Sequence, residues 1–284
     1  MKKQQIILVA ISVVVCLGLY FGGRTVPDKV STAHSANDGH DHNAEKIDFR
    51  KNILAEAISK ITKEQAQRTN ALEDFVIKSS STEEKIHGYH QLARFWKDTA
   101  DLFEPYAYYT SEASKLENSE KSLTFAARLF LNRLMVSREP AMQNWLASNA
   151  KVLLENALKI NPANDSSKIG LGACYIFGNL SDNPMQGILP IREIVQKHPE
   201  NVYGQMILGL GGKKSGQYDK AIERFQAVLK VDPQNVEAVF HIAESYDMKG
   251  DAANAIVYYE KAKQMVAIPE AKKELEKRIT ELKK

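Results

Sequence analysis

The chain has 284 residues, a formal net charge of +3 and a hydrophobic share of 44%. That share is enough to bury a sizeable core, and so small a charge gives no argument for a nucleic-acid partner, for which a concentrated basic face is expected. The two cysteines, Cys16 and Cys174, form no Cys-x-x-Cys pair and exclude a disulfide framework.

Lys2 and Lys3 precede an apolar run over residues 6–21, with no charge until Arg24. With Gln5, Gly22 and Gly23 the run reaches about the 17–20 residues that a bilayer-spanning helix needs. It is apolar on all sides, unlike a helix that buries one stripe. Residues 1–23 therefore read as an uncleaved signal-anchor helix. The two lysines stay on the cytoplasmic side, so the remainder is expected on the periplasmic face of a bacterial inner membrane. A cleaved signal peptide shares the basic start and apolar core, but Tyr20-Phe21-Gly22-Gly23-Arg24 has no small-x-small pattern. A lipoprotein signal ending at Cys16 is opposed by the large Val15 and by the apolar residues that continue past it. Both remain as alternatives to the anchor.

Residues 24–46 hold Pro27, Ser31, Thr32, Ser35, Asn37, Asp38 and Gly39 among few large apolar side chains. Such a segment buries too little surface to offset the entropy of ordering, and it reads as a flexible polar tether. His34, His40 and His42 lie there beside Asp38 and Asp41. Imidazoles and carboxylates suit divalent transition metals, but no second ligand cluster accompanies them. The expectation is a linker without metal, and no cofactor elsewhere.

Residues 47–82 form an N-terminal helical segment of one or two helices, with Phe49, Ile53, Leu54, Ala57, Ile58 and Ile61 at three- and four-residue steps. Ser79-Ser80-Ser81-Thr82 before Glu83 and Glu84 predicts a break and a new helix start. No alternating strand pattern follows, so the class is all-α.

Near Asn201 the chain begins to repeat. Gly216-Gln217-Tyr218-Asp219-Lys220-Ala221-Ile222 overlays Gly250-Asp251-Ala252-Ala253-Asn254-Ala255-Ile256 at a 34-residue offset. Leu208-Gly209 overlays Ile242-Ala243, Phe225 overlays Tyr259, and Asp232-Pro233-Gln234-Asn235 closes the first unit. Small residues at Gly209, Ala221, Ala243 and Ala255 let paired helices approach. Leu208, Phe225, Tyr246 and Tyr259 fill the space between them. Gly216 and Gly250 sit where a left-handed backbone is needed, and Pro233 ends its helix. This pattern resembles the tetratricopeptide repeat family. The resemblance implies a right-handed superhelical stack of antiparallel helical hairpins.

The clear repeats are 202–235 and 236–269. Asn161-Pro162-Ala163-Asn164 and His198-Pro199-Glu200-Asn201 copy the closing motif upstream, 37 residues apart, and 179–184 reads as a lengthened turn. Leu92, Ala93 and Trp96, then Phe103, Tyr106 and Tyr109, suggest an earlier hairpin. The array is drawn over 83–268. Residues 269–284, with Leu275, Ile279 and Leu282 on one face, read as a polar capping helix.

No Gly-x-Ser-x-Gly elbow, His-Glu-x-x-His pair or phosphate loop occurs. Gly170-Leu171-Gly172 and Gly209-Leu210-Gly211-Gly212 follow no predicted strand and read as close helix packing. His87, His90, His198 and His241 are scattered. The expectation is a non-enzyme. The resemblance implies a peptide-binding groove on the first helices, carried here by Ile169, Ala173, Ile176, Phe177, Tyr203, Met206, Leu210, Lys213, Lys214, Phe240, Glu244 and Asp247. Met206 and Leu210 stand where family members that grip a C-terminal carboxylate need polar residues. The function expected is a membrane-tethered adaptor or assembly scaffold with a protein partner. It is similar in outline to the anchored client-binding subunits of cytochrome c maturation. The alternative is a self-associating structural protein of the envelope.

Overall fold

The computed structural model describes residues 42–181 and 183–284, with side chains from residue 51 onward. The apolar run 1–23 and residues 24–41 of the tether, with His34 and His40, lie outside the described residues. Among the described residues no helix is long and apolar enough to cross a membrane.

Helix α1 (His42–Ser59) starts inside the stretch expected as linker, so the tether gives way to helix five residues before residue 47. Helix α2 (Lys63–Lys78) follows, which makes two helices of the N-terminal segment. The break between them has a local cause. Thr62 accepts from the Gln65 backbone N–H at 3.2 Å, and the Gln65 side chain accepts from the Thr62 N–H at 2.9 Å. This reciprocal capping box is legible in the sequence.

Helix α3 (Thr82–Arg94) begins at the expected serine cluster: Ser81 accepts from the Glu84 N–H at 3.1 Å, and Glu83 and Glu84 occupy its first turn. It runs into one π turn (Phe95–Thr99) that buries Phe95 and Trp96. Asp101 then takes a left-handed backbone at φ 52° before α4 (Phe103–Glu117). The remaining helices are α5 (Glu120–Val136), α6 (Pro140–Ile160), α7 (Asp165–Phe177), α8 (Met185–Lys197), α9 (Val202–Lys214), α10 (Tyr218–Val231), α11 (Val236–Lys249), α12 (Ala252–Met265) and α13 (Pro269–Leu282). All regular structure among the described residues is helical.

From α2 onward each helix packs on the next, and the alternate helices α5, α7, α9 and α11 also touch in sequence. That pattern is a stack of hairpins whose first helices lie side by side. Helices α11 and α12 start 34 residues after α9 and α10, and α9 starts 37 residues after α7, as the repeat spacing predicts. The extra length upstream sits in the long connection after Phe177.

The closing motif does more than end a helix. Asn164, Asn201 and Asn235 each accept from the backbone N–H three residues on, at 2.9 Å, and so start the next first helix. A cap of this kind contributes about 1 kcal/mol. Gly216 and Gly250 adopt φ of 73° and 84°, the left-handed region where a side chain is strained. Gly209 serves closeness instead: a Cβ there would lie 2.5 Å from the Phe225 ring. Gly172 likewise faces Gly187 across the α7–α8 crossing, so the Gly170-Leu171-Gly172 run is helix packing.

At the far end, Leu275 and Ile279 of α13 are buried on Val239, Ala243 and Tyr259. Arg278 holds Asp247 of α11 with two bonds, Nε to Oδ2 at 2.7 Å and Nη2 to Oδ1 at 2.6 Å. Tyr259 donates to the same carboxylate at 3.0 Å.

Candidate functional site

A groove of about 790 Å³ runs along the N-terminal halves of the first helices α5, α7 and α9. Lys121, Phe125 and Arg128 stand on one face of α5 at steps of four and three, the spacing that aligns side chains on a helix. Leu131 and Leu154 form apolar lining, Ser166 and Ser167 come from the first turn of α7, and Tyr203 comes from α9. Among the described residues neither Lys121 nor Arg128 has an ion-pair partner. Of the nearby carboxylates, Asp165 pairs with Lys168 at 3.2 Å, Glu117 lies 2.6 Å from His90 Nε2, and Glu120 accepts from the side-chain amides of Asn161 at 2.9 Å and Asn164 at 2.6 Å. Burial pushes the Tyr203 hydroxyl up to about 12, so it stays protonated.

A second, more apolar slot of about 640 Å³ lies between α11 and α13. Phe240, Val266 and Leu275 line it, with Glu237, Glu274 and Arg278 also present.

The structure divides the residues carried over from the family. Five of them, Ile169, Ala173, Ile176, Phe177 and Met206, are buried within the stack. The reason is contact between hairpins: Ile169 faces Gly204, and Ile176 faces Gly211, so this side of α7 is spent on α9. Met206 packs into the cluster of Ile222, Phe225 and Val228. Four more are engaged within the stack. Lys214 donates to the Ile176 carbonyl at 3.0 Å and lies over the Phe177 ring. Asp247 holds α13. Lys213 and Glu244 meet at 2.5 Å across α9 and α11. Leu210 is partly buried between two core clusters. Tyr203 and Phe240 are left lining open space, one in each cavity.

Lys121, Thr124, Phe125, Arg128, Ser166 and Ser167 were not among the residues expected from sequence. A signal existed. Counting from the caps Ser119 and Asn201, Lys121 corresponds to Tyr203, Thr124 to Met206 and Arg128 to Leu210. Extending the overlay to α5 would have placed three of these residues on the groove.

His241 sits inside the Lys213–Glu244 contact. Its Nδ1 is 2.9 Å from Glu244 and 3.0 Å from Lys213 Nζ, and its Nε2 is 3.7 Å from Glu237. Burial disfavours its charge and Lys213 opposes it, but the Glu237 and Glu244 carboxylates beside the ring outweigh both, and the imidazole lies above its ordinary value. Glu237 is held low chiefly by His241; burial raises Glu244, but His241 and Lys213 bring it below the usual carboxylate range. A group raised in the folded state stabilises fully below its unfolded value, about 6.5, and loses that contribution as pH rises through the folded value. The melting temperature should therefore fall across that window relative to His241→Gln, in which the difference vanishes. Thermal melts of both proteins from pH 5.5 to 8.5 check this, and parallel curves would refute it.

Among the described residues no group of three His, Cys, Asp or Glu side chains is placed to hold a metal ion. Cys174 is fully buried, and burial raises its thiol to about 12.

Residues 213–270 match the family model for the tetratricopeptide repeat. The match runs from the last residues of α9 through α10, α11 and α12 to the start of α13. The chain is also 24% identical over 147 residues to cellulose synthase operon protein C of Escherichia coli strain K12. The same holds for a putative cellulose synthase operon protein C of Escherichia coli O157:H7. The match covers 52% of this chain and only 13% of those proteins. Among solved structures, a MamA protein is 18% identical, with a TM-score of 0.43 over 64% of this chain and 92% of that one. MamA from Desulfovibrio magneticus RS-1 is also 18% identical, with a TM-score of 0.43 over 65% and 97%.

Proposed function

We propose that this chain is a non-enzymatic adaptor that holds a protein partner on its stacked first helices and is tethered to a bacterial inner membrane, with the hairpins in the periplasm. The observation that carries the reading is the open groove along α5, α7 and α9, where exposed aromatic and unpaired cationic side chains face solvent beside a well-packed core. Solenoid hairpins provide extended surfaces for this purpose. The apolar run 6–21 behind two lysines supports the tether and its orientation.

Proximity labelling with the full-length chain in its own cell, compared with Phe125→Asp and Tyr203→Ala, tests the adaptor. A reproducible set of labelled proteins should shrink in both variants while the melting temperature of the purified chain holds. An unchanged set would sink the groove as the binding surface. Protease shaving of intact spheroplasts tests the orientation: the hairpins should be digested from the outer side, and protection there would overturn the placement.

A further inference from the structure

We propose that His241 is a proton-operated joint between the hairpin of α9 and α10 and the hairpin of α11 and α12: uncharged, its ring accepts a bond from Lys213 of α9; charged, it gives up that bond and donates to Glu244 of its own helix. The inference goes beyond the adaptor reading and does not depend on it.

One ring nitrogen faces both partners. Nδ1 lies 3.0 Å from Lys213 Nζ and 2.9 Å from Glu244 Oε2. An ammonium only donates and a carboxylate only accepts. Nδ1 can serve Lys213 only with its lone pair and Glu244 only with an N–H, so the two bonds exclude each other. The other nitrogen decides the uncharged form. Nε2 is 3.7 Å from a Glu237 carboxylate oxygen. A proton on Nε2 faces that negative charge favourably, whereas a lone pair there would be repelled. The uncharged ring therefore carries its proton on Nε2 and accepts from Lys213 at Nδ1. A second proton puts an N–H on Nδ1, opposite the ammonium and beside Glu244.

The setting makes the exchange matter. The imidazole lies against the Phe225 ring of α10 at 5.3 Å and the Phe240 ring at 5.7 Å. Its side chain is 14% exposed and that of Lys213 is 19% exposed, so water screens their repulsion poorly. Among the described residues the charged groups that face the ring are Lys213 from α9 and Glu237 and Glu244 from α11, while α10 presents Phe225. Burial disfavours the imidazolium, but the two carboxylates outweigh it, so the exchange falls near neutral pH. It turns a bond between hairpins into a bond within α11. Lys213 then holds α11 at this point only through Glu244, 2.5 Å away. Protonation thus stabilises the fold as a whole while the junction between the two hairpins loses a bond. Tyr203 of α9 lines the groove and Phe240 of α11 lines the apolar slot, so the joint links the helices that carry the two cavities.

The test uses the full-length chain in detergent micelles with nitrogen-15-labelled histidine. The His241 resonances are those lost in His241→Gln or shifted in Lys213→Met. At pH 8.5 they should report a proton on Nε2 and a bare Nδ1, and a proton on Nδ1 at that pH would overturn the proposal. Double-mutant cycles from urea unfolding at pH 5.5 and 8.5 then pair His241→Gln with Lys213→Met and with Glu244→Gln. Coupling between Lys213 and His241 should favour folding by at least about twofold in the unfolding constant at pH 8.5 and vanish or turn unfavourable at pH 5.5. Coupling between Glu244 and His241 should grow on acidification. A Lys213 coupling of the same size and sign at both pH values would sink the joint, because a histidine that merely stabilises the fold exchanges no partner. Where a paired variant fails to fold, the tautomer of the unsubstituted chain decides by itself.

Discussion

Replacing Phe225 by alanine should lower the unfolding free energy by about 3–5 kcal/mol, the largest loss expected from any single truncation in the last two hairpins. Phe225 is fully buried and shares a cluster with Met206, Ile222, Val228 and Ile242, so it touches both helices of its own hairpin and the first helix of the next. Its ring also lies against Gly209 so closely that no Cβ fits between them. Residues of three helices meet at the ring, so they cannot all close into the space left behind, which puts the cost toward the upper end. Urea unfolding followed by circular dichroism measures it. A midpoint unchanged within error would show that α9, α10 and α11 do not share one core. Because hairpin stacks are stabilised by nearest-neighbour interfaces, a loss at this internal position should reduce the protection of hairpins on both sides.

Ile279→Ala should cost about 2–4 kcal/mol, with a different outcome. Ile279 is 1% exposed and anchors α13 on Val239, Ala243 and Tyr259. Its neighbour Arg278 adds the paired bonds to Asp247, and the Arg278 guanidinium holds the Asp247 carboxyl below its usual range despite partial burial. A carboxyl held low stabilises above its unfolded pKa and loses that contribution as pH falls through the folded value. Helix α13 is terminal, so its loss need not unfold the stack. Amide hydrogen exchange should speed up across α13 and the last turns of α11 and α12, and leave α5 to α8 unchanged. Uniform acceleration across all helices would show that the cap is needed by the whole array. Local loss would open the apolar slot beside Phe240 and Val266 and promote self-association, readable by sedimentation.

The hairpins of the last third were legible because their signals are local. Gly216 and Gly250 mark turns, Pro199 and Pro233 mark ends, and the small–large alternation at Gly209, Phe225, Ala243 and Tyr259 is spaced by the helix itself. The asparagine caps lie in the same motifs, each two residues after the proline that ends the preceding helix. The Thr62–Gln65 capping box was equally local and would have divided α1 from α2. The lengthened connection after Phe177 was legible from the 37-residue spacing.

The site was less legible because a groove position predicts a direction and not an exposure. Ile169, Ile176 and Met206 point along the same row as Tyr203, yet neighbouring helices cover them. Lys214 and Asp247 are polar and on the expected helices, but a carbonyl of α7 and a guanidinium of α13 take them. By contrast Phe125 and Arg128 lie on a helix whose repeat signal is weak, and they remain open. The sequence by itself determined helix, turn and repeat period, because caps, left-handed glycines and three- to four-residue spacing act within one hairpin. Only the tertiary structure decided which row of side chains stays in water, because that depends on how closely one hairpin settles on the next and which partner reaches each polar group first.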